Sequence, residues 1–463
     1  MFLIVFINIF QEGGKALSRT IGELLKSLSN RDIEALKSIY DLRCLTVTQI
    51  YELHYKKSSR GDGEIVSDAY CKKKMNEFVE LEILEKVDHM GEDVVFLTTK
   101  GVDLIRHCYD LPANIYDVNK GVIRRGYYRA FELKIAPKYI SHQLCLNQFL
   151  IDFKLREHDA YWKYYDEKYI SQFQNIRPDG LLTMFDIDFF IEIDMGTESK
   201  NQLYEKWDNY RRFLDSQEYE YIERKIVVLF VIENTANPQA RIDLVKHTLG
   251  ARLMDKIDSN FEIYVGTKED MLSILDEKIE VINGNKKDFN DEIFSAMANH
   301  GFSVALGEKL KNIFNGIEYD FYCRKIDENN HVVVENNRIQ EFIVDSYKLQ
   351  PFSVLKKIAF LHLSNVYFQE KLGRKLSYIV VGESIESLYR DLKIMDLLVV
   401  DNVYYTTLDR LKNKPFHEAL FQFDFLGNIH SFKNNGLDDR EFEFNIAEQI
   451  AEREKEPNYY ASS

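Results

Sequence analysis

Three acidic residues and one lysine lie close together in RPDGLLTMFDIDFFIEIDMGTESKNQLYEKWDNY, residues 177–210. Asp179 follows a proline. Glu192 and Asp194 stand two apart, so on a strand they share one face. Lys206 follows on a helical pattern. Carboxylates grouped in this way hold a hard divalent cation, Mg²⁺ or Mn²⁺, through oxygen. Such a cation activates water and steadies a leaving oxygen, and a lysine stabilises charge on a phosphate. Read as chemistry, Asp179, Glu192 and Asp194 are metal ligands. With Lys206 they would form a divalent-metal site facing a phosphate backbone. The plainer reading is a turn, a strand end and a helix N-terminus. Glu198 and Ser199 would cap that helix, and acids there are favourable without a metal.

The elements around this stretch must position it. YISHQLCLNQFLIDFKLRE reads as an amphipathic helix, and YWKYYDEKYI, LLTMFD and DFFIEID read as strands. ESKNQLYEKWDNYRRFLDSQ is a helix, with Leu203, Trp207, Tyr210 and Leu214 inward. KIVVLFVIEN is a continuous apolar strand of the buried parallel kind. A further helix and the strand FEIYVGT extend the series. The order α-β-β-β-α-β resembles that of the PD-(D/E)xK nuclease core, and the resemblance implies a metal-dependent, DNA-nicking endonuclease with Asp179, Glu192, Asp194 and Lys206 as its catalytic set. There an aspartate opens the second strand, and an acid and a lysine stand two apart on the third. Here Asp194 occupies the lysine position. Either Lys206 points back from the next helix to replace it, with Gln202 a second candidate, or the chemistry has been lost.

Upstream, SNRDIEALKSIYDLRCLTVTQIYELHY reads as two short helices, the first capped by Asn30 or Asp32 and the second by Thr46. SDAYCKKKMNEFVELEILEKV is a third helix with Cys71, Met75, Phe78, Val79 and Leu81 inward. A hairpin turning at Met90-Gly91-Glu92 follows, then a helix from Gly101. This is the order of a winged helix-turn-helix. Tyr70, Lys72, Lys73, Lys74 and Asn76 are expected on the outer face of the third helix, where lysine meets phosphate or guanine and asparagine reads adenine. RRGYYR adds Arg124, Arg125 and Arg129 as a basic linker or a plain solvated loop.

Taken together, roughly the first 235 residues resemble the replication-relaxation family of plasmids and conjugative elements. The resemblance rests on LTVTQIYEL, FLTTKGVDLI, HQLCLNQF and above all RPDG…IEIDMGTES…L..K…Y. It implies a part in plasmid replication and in relaxation or mobilisation of plasmid DNA, with double-stranded DNA as partner. A non-catalytic replication initiator, an adaptor and a transcriptional regulator with a sensing α/β part are the alternatives. The eleven histidines include no pair flanking one hydrophobic residue, and no phosphate-binding GxxxxGK[ST] occurs.

The net charge of −15 is unevenly spread: it cancels over residues 1–130, is −5 over 131–260 and −10 over 261–463. Electrostatic contacts with DNA are local, so the acidic part does not exclude a DNA-binding N-terminal part. It offers a docking surface to basic replication or mobilisation partners, and a homo-oligomer is compatible with the sequence. Five dispersed cysteines without a CxxC pair point to a reducing cytoplasm. MFLIVFINIF is too short for a membrane span and lacks a signal-peptide pattern; it reads as an edge strand or a mis-assigned start. The expected architecture is multidomain α/β and α+β. An extension over 1–29 precedes the winged helix at 30–118. A PD-(D/E)xK-like domain spans 119–285, an α/β domain of unknown type 286–450 and a tail 451–463. Within the last domain, KLSYIVVGESIESLYRDLKIMDLLVVDNVYYTTLDRL predicts strand, helix, strand, hairpin partner and helix. The acidic end predicts an exposed helix.

Overall fold

The computed structural model describes residues 20–455 apart from 58–64, 66, 118–121, 157, 167–172, 234, 308–317, 336–337, 374–376, 434–436 and 438. The opening apolar run lies outside the described residues. Contacts divide the chain into two compact units, up to residue 157 and from residue 158 on.

The first unit begins with helices α1 (Ile21–Ser27) and α2 (Asn30–Leu42). Ser29, rather than Asn30, caps α2, and Asp32 returns a bond to the Ser29 backbone as a capping box. Strand β1 (Leu45–Thr46) leads into α3 (Val47–Ile50), which Thr46 caps with Gln49 and which widens into a π turn over Tyr51–Tyr55. Helix α4 (Asp68–Glu80) is capped by Ser67. Strands β2 (Leu84–His89) and β3 (Glu92–Leu97) form a hairpin. Met90 (φ 55°) and Gly91 (φ 85°) make its two-residue turn, the left-handed pair that a twisted hairpin requires. The sheet order is β1-β3-β2. Helix α5 (Thr99–Cys108) starts from Thr98. A small hairpin, β4 (Asn114–Asp117) and β5 (Val122–Arg125), and helix α6 (Ala130–Leu133) follow. Helix α7 (Ile140–Leu155), which the sequence pattern joins to the next core, packs within this unit. Its buried Asn147 donates to the carbonyls of Leu42 (3.2 Å) and Cys44 (2.6 Å). Cys71, Met75 and Phe78 of α4 share one core with Leu36, Ile39, Ile50, Val95 and Ile105.

Among its described residues the second unit holds two large sheets and a separate two-stranded one. The first has the order β10-β9-β8-β7-β6. Its strands are β6 (Trp162–Asp166), β7 (Gly180–Met184), β8 (Ile187–Asp194), β9 (Lys225–Ile232) and β10 (Phe261–Thr267). β6, β7 and β8 pair antiparallel; β8, β9 and β10 pair parallel. Helices α8 (Lys200–Leu214) and α9 (Gln217–Glu220) join β8 to β9. Helix α10 (Pro238–Arg252) joins β9 to β10, and α11 (Lys268–Ile282) follows. Trp207, Tyr210 and Phe213 of α8 pack on Val228 and Phe230 of β9, which is buried along its length as a central parallel strand should be.

The other sheet follows helix α12 (Phe289–Asn299). Its first strands are β11 (Phe302–Leu306) and β12 (Phe321–Lys325). A short hairpin, β13 (Val334–Glu335) and β14 (Arg338–Ile339), interrupts the chain before β15 (Glu341–Ser346). Helix α13 (Pro351–Leu372), β16 (Tyr378–Gly382), α14 (Ile385–Ile394), β17 (Val403–Thr407), α15 (Leu408–Asn413) and α16 (Phe416–Ala419) come next. Strands β18 (Phe421–Phe423), β19 (Asn428–Phe432) and β20 (Arg440–Asn445) and helix α17 (Ile446–Lys455) close the described chain. The order is β11-β12-β15-β16-β17-β18-β19-β20.

Two expectations fail here. Only one strand, β17, forms between α14 and α15. The acidic end is a paired strand before it is a helix, because Phe442 and Phe444 pair with His430 and Ile429 of β19. No helix among the described residues is long and apolar enough to cross a membrane.

Candidate functional site: an acid–lysine centre on β8 and an exposed face on α4

The register places the acids of the quoted stretch. Gly180 pairs with Ile191, so Asp179, one residue before β7, stands beside the end of β8. The Asp179 backbone N–H donates to the Ile191 carbonyl (3.0 Å), and its Oδ2 accepts from the Ile193 N–H (2.8 Å). Glu192 points toward α8 and is only 4 % exposed. Its Oε2 accepts from Lys206 Nζ (3.1 Å) and its Oε1 from the Tyr210 hydroxyl (2.6 Å). Lys206 thus reaches back from the helix to the strand. It also meets Glu198 Oε1 at 3.1 Å and lies 5.1 Å from the centre of the Phe230 ring.

Burial pushes the Glu192 carboxyl above its ordinary range against the pull of Lys206, and the Asp179 charge adds to that push. Burial works against the Lys206 charge, but Glu192, Glu198 and Asp179 outweigh it and hold the ammonium above its ordinary range. Burial first, then the Glu192 charge, drives Tyr210 well above its ordinary value. The site therefore holds protons more tightly than the same groups would in water.

Asp194 is engaged elsewhere. It is 1 % exposed. Arg241 of α10 grips it in a fork, Nε to Oδ2 at 2.6 Å and a terminal nitrogen to Oδ1 at 3.0 Å. The Gly196 N–H also donates to Oδ1 (2.9 Å), from a turn in which Gly196 takes φ 72°. The remaining Arg241 nitrogen donates to the Glu198 carbonyl (2.7 Å). The structure therefore brings Asp179, Glu192 and Lys206 together and ties Asp194 to Arg241. Among the described residues, no group of three His, Cys, Asp or Glu side chains is placed to hold a metal ion. The three-carboxylate set does not fit a cation, because one member already carries a bidentate guanidinium. Gln202 is likewise occupied: its Oε1 accepts from the Ser199 N–H (2.8 Å) in the cap of α8.

Sequence reasoning missed Arg241 and the hydroxyl role of Tyr210. Tyr210 carried a signal, one turn after Lys206 on the same helical side. Arg241 carried none, since its partner lies 47 residues away on another element.

On α4, Tyr70, Lys72, Lys73 and Asn76 are exposed. Lys72 pairs with Asp68 at 2.7 Å, a surface pair of little energetic weight. Asn76 Oδ1 accepts from Lys86 of β2 (3.2 Å). Lys74 does not share this face. Next to the buried stripe of Cys71, Met75 and Phe78, it turns its amine to Asp32 (3.5 Å) and Glu77 (3.4 Å). Arg125 pairs with Glu132 at 2.8 Å and braces its own loop. The Arg124 side chain lies outside what the structure describes.

A family model described as replication-relaxation matches residues 36–229. Over that stretch the chain is similar to the replication-relaxation family. The matched stretch runs from within α2 into β9, so it takes in the α4 face, Asp179, Glu192, Asp194 and Lys206 and stops before Arg241. No curated protein and no solved structure matches the chain.

Proposed function

We propose that this chain binds duplex DNA of a plasmid or mobile element and acts in its replication and relaxation. The first unit is read as a winged helix-turn-helix, with α4 entering the major groove and the β2–β3 hairpin as its wing. The observation that carries this is the exposed face of α4, Tyr70, Lys72, Lys73 and Asn76, inside the replication-relaxation match. The strand order and directions of β6 to β10 support a PD-(D/E)xK-like core. In it, Asp194 in the lysine position and its closure by Arg241 favour a scaffold that does not cut. The acidic C-terminal part would serve other replication or mobilisation proteins.

A second reading, metal-dependent nicking, is favoured by one observation: Lys206 Nζ meets Glu192 Oε2 at 3.1 Å at the strand end where Asp179 Oδ2 accepts from the Ile193 N–H. Under it a Mg²⁺ or Mn²⁺ ion would rest on Asp179 and Glu192 alone. Supercoiled plasmid, incubated with the protein and Mg²⁺, Mn²⁺ or chelator, separates the two. The scaffold reading expects a gel shift without nicking, unchanged in Glu192→Gln. Metal-dependent nicking that Glu192→Gln abolishes would establish the second reading instead.

A further inference from the structure

Five strands of the eight-stranded sheet repeat the arrangement of the five-stranded one. Strands β11, β12, β15, β16 and β17 lie in the order and directions of β6, β7, β8, β9 and β10: two antiparallel pairings, then two parallel ones. In each, a long helix, α8 or α13, follows the third strand, and another, α10 or α14, lies between the fourth and the fifth. A threonine at the end of each fifth strand, Thr267 or Thr407, caps the next helix.

The correspondence extends to side chains. Asp320 stands one residue before β12, as Asp179 stands before β7. Phe321 pairs with Val344 as Gly180 pairs with Ile191, so Asp345 takes the place of Glu192. Asp320 Oδ2 accepts from the N–H of Ser346, the residue after Asp345, at 2.8 Å. Asp179 makes the same bond to the residue after Glu192, also at 2.8 Å. Lys357 is the seventh residue of α13, as Lys206 is of α8, and its Nζ lies 2.8 Å from Asp345 Oδ2. A tyrosine hydroxyl completes each centre, Tyr378 at 2.5 Å and Tyr210 at 2.6 Å, from different elements.

The second centre is the more enclosed. Asp345 is 0 % exposed against 4 % for Glu192, and Lys357 is buried where Lys206 is in part exposed. Asp345 Oδ1 accepts from the Asp320 N–H (2.5 Å), and Gln350 Nε2 donates to Asp320 Oδ1 (2.8 Å). Every carboxylate oxygen of the pair is thus bonded within the protein.

The corresponding helices also pack together. Lys246 of α10 grips Asp391 of α14, 2.8 Å to each oxygen. Four residues on in each, Gly250 meets Met395, and a Cβ at Gly250 would strike the Met395 sulfur. Helix α10 is also the helix that carries Arg241.

We propose that the described part of residues 302–413 is a second copy of the core in residues 162–282. This copy takes no ligand and acts as a built-in partner that braces α10 through α14.

The test uses the full chain. Hydrogen exchange is followed in Lys246→Met, which leaves Asp391 with its Tyr347 bond, and in Asp391→Ala. The proposal expects α10 amides to exchange about tenfold faster in both, with α4 unchanged. Unchanged α10 exchange in Lys246→Met would overturn the brace. Lys357→Met and the milder Asp320→Asn are titrated with Mn²⁺ and with plasmid DNA. Binding within about twofold of the unaltered chain supports a closed copy. A loss of about tenfold or more in either, with unchanged circular dichroism, makes it a ligand site and overturns the proposal. If Lys357→Met does not fold, Asp320→Asn alone decides.

Discussion

Asp194 is where the residue-scale argument turns. A carboxylate free at a strand end could take a cation; one held by a two-pronged guanidinium inside the protein cannot do so cheaply. Breaking a buried pair leaves an uncompensated charge, whereas replacing both partners by apolar groups is often neutral. Arg241→Met alone is therefore expected to cost about 3–5 kcal/mol of stability. Asp194→Leu with Arg241→Met should recover most of it, as measured by urea unfolding of the full chain. Tyr210→Phe removes a buried bond to a carboxylate and should cost about 1–3 kcal/mol, read in the same way. Equal losses for the single Arg241→Met and the double variant would show that the pair is not coupled. The sequence showed which acids were close, because Pro178-Asp179 and Glu192–Asp194 are local patterns. It could not show that Asp194 was taken, because the guanidinium arrives from another helix.

At the scale of elements, α4 separates two kinds of lysine. Lys72 and Lys73 are exposed, whereas Lys74 lies over the Phe78 ring and bonds to Asp32. Lys74→Ala should therefore lower stability by about 1 kcal/mol and leave the salt dependence of DNA binding unchanged. The neighbouring π turn carries a pH-sensitive group. Burial, with smaller contributions from Lys154 and Arg31, lowers His54 to about 4. It meets Ser38 Oγ at 2.8 Å. Since the folded value lies below the unfolded one, its stabilisation is present above about pH 6.5 and is lost as pH falls toward 4, a change of roughly 3 kcal/mol. Hydrogen exchange of α2 should speed up over that window, and His54→Gln should flatten the response. Much of the helix and strand order in the first 280 residues was legible because caps and apolar periods are local signals, but helix α1 and the β4–β5 hairpin, whose second strand holds Arg124 and Arg125 of the expected linker, were not. The paired strand in the acidic end was not: Glu441, Phe442, Glu443 and Phe444 alternate, but charge masked a pattern that only β19 gives meaning.

At the scale of the whole chain, a net charge of −15 is compatible with the proposed DNA-binding role because the charge is segregated. Residues 1–130 are neutral in sum, and the exposed α4 face is locally basic. The proposed repeat in the second unit was not legible in sequence, since the few residues its copies share, such as Asp179 and Asp320 or Lys206 and Lys357, stand at different spacings in each. The proposed function rests on α4 docking on duplex DNA. The salt dependence of duplex binding by the full chain, beside Lys72→Ala/Lys73→Ala, tests this docking. Docking through α4 predicts weaker binding by the double variant and a log–log salt slope shallower by about two, roughly one for each lysine that no longer neutralises a phosphate. An unchanged slope and affinity in the double variant would contradict it and place any DNA interaction away from α4.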